Sequence, residues 1–161
     1  MSVEPGLADT NVLIYALDAD APHHTAARAL LEAARDGSAT LYVTPQILGE
    51  FYAVVTNARR VAKPRSSAEA LDAISELLKF LLVLPIPAHV VDGWMSLLRR
   101  HPVTGADVFD LQIVATMQAN DVQRIYTFKP AISGYLAIDP RPAHCLRPCR
   151  EGLRQRGAAY G

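Results

Sequence analysis

The alternation of apolar and polar positions along this chain switches repeatedly between a strand-like and a helix-like period. Gly6-Leu7-Ala8-Asp9 closes a short N-terminal strand, and Asn11-Val12-Leu13-Ile14-Tyr15-Ala16-Leu17 then predicts an apolar helical turn or two, so Asp9 falls at a strand-to-helix junction. From His23 to Ala34, the residues Ala26, Ala27, Leu30, Leu31 and Ala34 recur at helical spacing, and Gly37 follows where a C-terminal glycine is expected. Thr40-Leu41-Tyr42-Val43-Thr44 has the composition of a buried strand. Pro45 suits the first position of a helix with an apolar face of Ile47, Leu48, Phe51, Val54 and Val55. Ser66 and Glu69 read as a capping box for a helix running to about Phe80, followed by a strand over Leu81-Leu82-Val83-Leu84-Pro85. Helices are predicted over Pro87 to Arg100 and Asp107 to Asn120, then a short strand at Arg124-Ile125-Tyr126-Thr127.

The resulting order, β-α-α-β-α-α-β-α-α-β, predicts an α/β fold: a mostly parallel central sheet with helices on both faces. Ligands of such sheets gather at the carboxyl ends of the strands. Leu136-Ala137-Ile138 is a candidate last strand, and the expected organisation is a domain over 1–140 followed by a basic Pro/Arg-rich tail over 141–161.

Composition narrows the picture. With 161 residues, 50% hydrophobic and 20% charged, the chain fits one globular domain. Sixteen basic residues balance sixteen acidic ones, which lowers the expectation of a general nucleic-acid coat while leaving local patches open. No apolar run approaches the roughly 18 residues of a membrane span, and the first residues lack a signal-peptide pattern, so a cytoplasmic protein without membrane partners is expected. Cys145 and Cys149 are too few for a disulfide scaffold, and even with His144 they lack the full ligand set of structural zinc. No phosphate-cradling glycine loop, dinucleotide fingerprint or Cys-His arrangement occurs; His23, His24, His89 and His101 flank helices without a nucleophile nearby in sequence, and Trp94 is expected in the core.

The acidic residues then change the picture most. Glu32, Asp36, Glu69, Asp72, Glu76 and Asp92 fall on helix surfaces or ends and need only solvation. Asp9 follows a strand, Glu50 interrupts an apolar helix just after Gly49, and Asp107 and Asp110 sit one turn apart at a helix start. Singly, Asp9, Asp107 and Asp110 could be helix caps, Asp107 being the better cap of its pair, and Glu50 a solvated helix residue. Together, the topology can bring them to one edge of the sheet, where carboxylates repel unless a cation joins them. A hard divalent ion, Mg2+ or possible Mn2+, meets that requirement through oxygen ligands and suits phosphodiester hydrolysis.

These residues resemble the PIN-domain nucleases, and within them the VapC-type toxins of toxin-antitoxin pairs. Leu7-Ala8-Asp9-Thr10-Asn11-Val12-Leu13 is similar to the family's opening strand and first acidic residue, and Gly49-Glu50-Phe51 to its helical glutamate. Val103 to Ala115, with Asp121-Val122 and Ile125-Tyr126-Thr127-Phe128, is similar to its second half, so the resemblance spans about residues 6 to 138. It implies that Asp9 and Asp110 bind the metal, that Glu50 joins them in catalysis, and that Asp107, Thr10 and Thr127 support them. Where the family usually has a fourth acidic or amide residue, this chain has Thr127-Phe128-Lys129-Pro130, and a protonated lysine cannot ligate a cation.

The function implied is a magnesium-dependent endoribonuclease, the toxin of a toxin-antitoxin pair, with transfer, ribosomal or messenger RNA as substrate. A cognate antitoxin would place a basic side chain among the carboxylates, and a homodimer would form through the first-half helices, with Tyr52, Val55 and the Ser66 to Phe80 helix either interface or core. Arg59, Arg60, Lys63 and Arg65 are candidate RNA-phosphate contacts or a solvated loop. Two other readings stay open: a catalytically weakened RNA-binding module and a metal-dependent phosphatase.

Overall fold

In a computed structural model the described residues are 3–129 together with Ile132 and Tyr135. The candidate strand at Leu136 to Ile138, the basic tail, and the His144, Cys145 and Cys149 group lie outside them. Among the described residues ten elements follow in the order read from the sequence: β1 (Val3–Ala8), α1 (Thr10–Leu17), α2 (His24–Arg35), β2 (Ala39–Val43), α3 (Pro45–Val55), α4 (Ser67–Leu77), β3 (Leu82–Val83), α5 (Val90–Arg100), α6 (Asp107–Ala119) and β4 (Ile125–Tyr126).

All pairings are parallel, and the strand order is β3-β2-β1-β4. Winding runs from β1 through β2 to β3 in one direction, then crosses back to place β4 on the other side of β1. Right-handed crossovers therefore put α1 to α4 over one face and α5 with α6 over the other. The packing agrees: α1 contacts α2 and α3, α3 contacts α4, and α5 lies along α6. The reversal falls between β1 and β4, and an α/β sheet opens a ligand crevice beyond the strand ends at such a point.

Close approach of β4 to β1 depends on a missing side chain. A Cβ on Gly6 would come within 2.7 Å of the Tyr126 ring and 3.1 Å of the Arg124 carbonyl, while the Tyr126 hydroxyl donates to the Glu4 carbonyl at 2.7 Å. Leu7 N–H donates to the Arg124 carbonyl and Asp9 N–H to the Tyr126 carbonyl, at 2.8 and 3.0 Å. This register sets Thr127 beside Asp9. Leu7, Val12, Leu13, Leu30, Leu41, Ile47, Phe51, Leu111 and Val114 have no exposed surface and form the core between sheet and helices.

Three expectations need adjustment. The strand read over Leu81 to Pro85 shortens to Leu82–Val83 at one edge of the sheet, and both side chains are exposed. The helix expected from Pro87 begins at Val90, after a turn in which Val90 N–H donates to the Pro87 carbonyl. Trp94 is only half-buried, with its indole N–H donating to the Val108 carbonyl at 3.1 Å. The capping box is present at α4, Ser66 accepting from Glu69 N–H and Glu69 from Ser66 N–H.

Candidate active site

Asp9 leaves the end of β1 in an extended conformation and caps α1. Its side chain is only 1% exposed. A buried carboxylate needs donors on both oxygens, and the local sequence supplies them. Thr10 N–H donates to Oδ1 at 2.7 Å; the Asn11 amide and the Thr127 hydroxyl donate to Oδ2 at 2.5 and 2.7 Å. Asn11 also donates to Thr127 Oγ1 at 3.0 Å and accepts from Phe128 N–H at 3.0 Å, which ties the start of α1 to the chain leaving β4. Lys129 N–H donates to the same Thr127 oxygen at 3.0 Å. Among the described residues no buried side-chain polar atom lacks a partner.

Glu50 comes from α3, which starts at the C-terminal end of β2 with Thr44 accepting from Ile47 N–H and Pro45 in the first turn. Its carboxylate accepts a 2.8 Å hydrogen bond from the Thr10 hydroxyl, so it is half-buried against α1 rather than a solvated helix residue.

Asp110 stands in the first turn of α6 and is half-buried. That turn is located by neighbours holding its carbonyls: Trp94 of α5 on Val108, and Gln46 of α3 on Phe109 at 3.3 Å. Asp107 is exposed and does not cap α6, so the alternative that it serves as the helix cap falls away. The N-cap is Ala106, without a side-chain cap; Gly105, at φ +63°, turns the chain into the helix one residue too early for Asp107 to occupy that place.

Charge links these groups. Burial pushes the Asp9 carboxyl above its ordinary value; the Thr127 hydrogen bond, the Lys129 charge and the Thr10 N–H pull down, and Glu50 pushes up again. Asp110 is also raised, first by burial, with Lys129 opposing and Asp9, Asp107 and Glu50 adding repulsion. The fold thus brings Asp110 within electrostatic reach of Asp9, Asp107 and Glu50, and Asp9 within reach of Glu50, with Thr10 and Thr127 bonded to two of them and the Lys129 charge acting on both aspartates.

The donor chemistry fits a hard divalent cation: oxygen ligands only, with mutual repulsion that such an ion would relieve. Among the described residues, no three His, Cys, Asp or Glu side chains form a group that could hold a metal ion. Binding through Asp9 and Asp110 with the remaining positions filled by water matches how magnesium is commonly held.

The basic residues lie elsewhere. Lys63 and Arg65 line a cleft of about 540 Å³ with Ile14, Leu17, Asp18 and Asp20, at the far end of α1 from Asp9. Eight helical residues separate the two ends by about 12 Å. Arg59 and Arg60 are exposed in the same connection between α3 and α4. Val55 is core, and the Tyr52 hydroxyl donates to Ser67 Oγ at 2.8 Å, joining α3 to α4. Sequence reasoning assigned no role to Asn11; its offset of two residues from an acidic strand end was the available signal.

The family model of the PIN domain matches residues 7–132. The VapC ribonuclease Mb2897 of Mycobacterium bovis is 39% identical over 119 residues, covering 70% of this chain and 78% of that protein. Ribonuclease VapC43 of Mycobacterium tuberculosis matches with the same figures. Among solved structures, Mycobacterium tuberculosis VapC20, described as a sarcin-ricin loop cleaving toxin, superimposes with a TM-score of 0.65 at 18% identity over 84% of this chain and 98% of that one. VapBC2 of Rickettsia felis, bound to a promoter DNA fragment, superimposes with a TM-score of 0.59 at 15% identity over 86% and 98%. At those identities the two structures speak for the fold. Among the described residues no helix is long and apolar enough to cross a membrane.

Proposed function

Because this chain belongs to the PIN-domain family, we propose that it is a magnesium-dependent endoribonuclease acting as the toxin of a toxin-antitoxin pair. The observation that carries the reading is the meeting of Asp9, Glu50 and Asp110 at the switch point of the sheet, each from a different element, with Glu50 repelling both aspartates and Asp9 repelling Asp110. The 39% identity to proteins named VapC ribonucleases supports RNA as the substrate and a cognate antitoxin as a partner. A cytoplasmic homodimer is part of the same proposal.

Asp9 and Asp110 would hold the ion, which when bound lowers the pKa of a water and stabilises the departing oxygen. Thr127 and Asn11 keep Asp9 in one orientation, so the ligand does not have to be ordered when the ion arrives. Glu50, whose carboxylate accepts from the Thr10 hydroxyl, would bind the ion or orient the attacking water and take up its proton. In hydrolysis the water oxygen forms the new bond to phosphorus, the ribose oxygen leaves with the bonding pair, and a proton is delivered to it.

The test compares wild type with Asp110→Asn for manganese binding by calorimetry and for cleavage of single-stranded RNA. The substitution is expected to weaken manganese binding and to slow cleavage by at least about a hundredfold. Equal binding and equal cleavage would sink the site assignment. Lys129 favours one competing reading, an RNA-binding module without cleavage, because its charge faces the two aspartates. That reading requires wild type to bind RNA and leave it intact at every magnesium or manganese concentration.

A further inference from the structure

Among the described residues Lys129 is the cation whose charge acts on both Asp9 and Asp110, and its backbone position is built rather than incidental. Its N–H is anchored on Thr127 Oγ1, which donates to Asp9; the preceding Phe128 N–H is anchored on Asn11, which donates to the same Asp9 oxygen. Pro130 follows in sequence and restricts the Lys129 backbone to extended conformations. The side chain is exposed, so its ammonium group stays hydrated and open to a ligand from solvent.

Charge balance indicates what that ligand is. Asp9, Glu50 and Asp110 together carry more negative charge than one divalent ion neutralises, and Asp107 adds to the excess. An RNA phosphodiester approaching such a site would meet net repulsion. A lysine paired only with the aspartates would do nothing for substrate, whereas one free to swing toward an arriving phosphate would turn the repulsion into attraction.

Resting on the nuclease reading of this site, we propose that Lys129 is the site's second cation: an ammonium group that binds a non-bridging oxygen of the RNA phosphodiester beside the ion held by Asp9 and Asp110. Lys129 makes no covalent bond in this role. It replaces a second metal ion by a tethered charge, whose phosphate contact does not itself require metal.

The test measures binding of a short fluorescein-labelled single-stranded RNA to the full chain in EDTA across a salt series, for wild type, Lys129→Met and Lys129→Arg. The methionine variant is expected to bind about tenfold more weakly, with a salt slope shallower by about 0.7, the value for one lost phosphate contact on a single strand. The arginine variant is expected to retain affinity and slope. Manganese should bind the methionine variant at least as tightly as wild type, because a repelling charge is gone. An ion pair with a purely structural role would change melting temperature and leave the salt slope alone. Wild-type affinity and slope in Lys129→Met, or equal losses in both variants, would overturn the proposal. Its failure is separable from failure of the nuclease reading: cleavage undiminished in Asp110→Asn removes the latter, while the EDTA measurements judge Lys129 whether or not RNA is cut.

Discussion

Two turns of the chain bring a carboxylate to the same edge of the sheet, and they hold it by different physics. At the end of β1, Asp9 is immobilised by hydrogen bonds from Thr10, Asn11 and Thr127 and is almost fully excluded from water. At the start of α6 those hydrogen bonds have no counterpart on Asp110 among the described residues; its surroundings act through burial and charge. The first carboxylate is part of the architecture that joins β1, α1 and β4. The second is carried on a turn held from outside by Trp94 and Gln46. A site that must bind an ion and release product gains from one fixed ligand and one that adjusts.

The largest expected effect separates the two roles. Asp9→Ala and Asp110→Asn should each abolish most RNA cleavage, but only the first should cost stability. Removing Asp9 uncaps α1 and strips a partner from three buried donors, a loss of about 1 to 3 kcal/mol after the relieved burial of its charge offsets part. Asp110→Asn removes a repelling charge, so its urea midpoint should equal or exceed that of wild type. Equal destabilisation in both variants would erase the distinction.

A smaller effect concerns pH. Both carboxyls have folded-state values raised above the ordinary one, chiefly by burial. A raised value means that the folded state binds protons more readily than the unfolded state. The contribution is therefore fully present below the unfolded pKa and is lost as pH rises through the folded pKa. In metal-free protein, lowering pH from neutrality toward the ordinary carboxylate range should stabilise wild type relative to Asp110→Asn. Asp110 is half exposed, so solvent screening keeps the difference under about 1 kcal/mol. Urea melts of the two proteins along a pH series provide the measurement, and curves that stay parallel would mean that Asp110 sits in an ordinary solvated environment.

The same contrast explains what could be read from the sequence. Element order was legible because each helix and strand keeps its own apolar period, and the capping box at Ser66 and Glu69 is a purely local signal. Asp9 was legible because a strand end followed at once by an apolar helix leaves it at the edge where ligands gather. Asn11 was not, since its work is to bridge Asp9 to Thr127 and Phe128, more than a hundred residues later, and such a bridge leaves no periodic trace. Residue type made Asp107 the better candidate cap of its pair, whereas the left-handed Gly105 sets where α6 begins and Asp107 does not cap it. The short β3 was overextended because an apolar run does not say whether a strand is central or at an edge. Lys129 could be noted as a departure, but only the folded chain shows which carboxylates its charge meets.

The smallest effect probes the support under Asp110 and sharpens the comparison most. Trp94→Phe keeps most of the ring's apolar surface and deletes only the indole N–H that reaches the Val108 carbonyl. The loss of one half-buried hydrogen bond should cost about 1 kcal/mol or less. If the turn bearing Asp110 depends on that bond, the freed turn should weaken manganese binding and lower the cleavage rate a few-fold while leaving metal-free RNA affinity unchanged, because Lys129 is anchored through Asp9's side of the site. An equal drop in RNA affinity would show that the two sides are mechanically coupled after all. Unchanged manganese binding would show that Gln46 and the packing of α6 hold the turn without Trp94. The expected split follows from the geometry: the Asp9 network closes on itself through Thr10, Asn11 and Thr127, and none of its hydrogen bonds passes through α5 or α6.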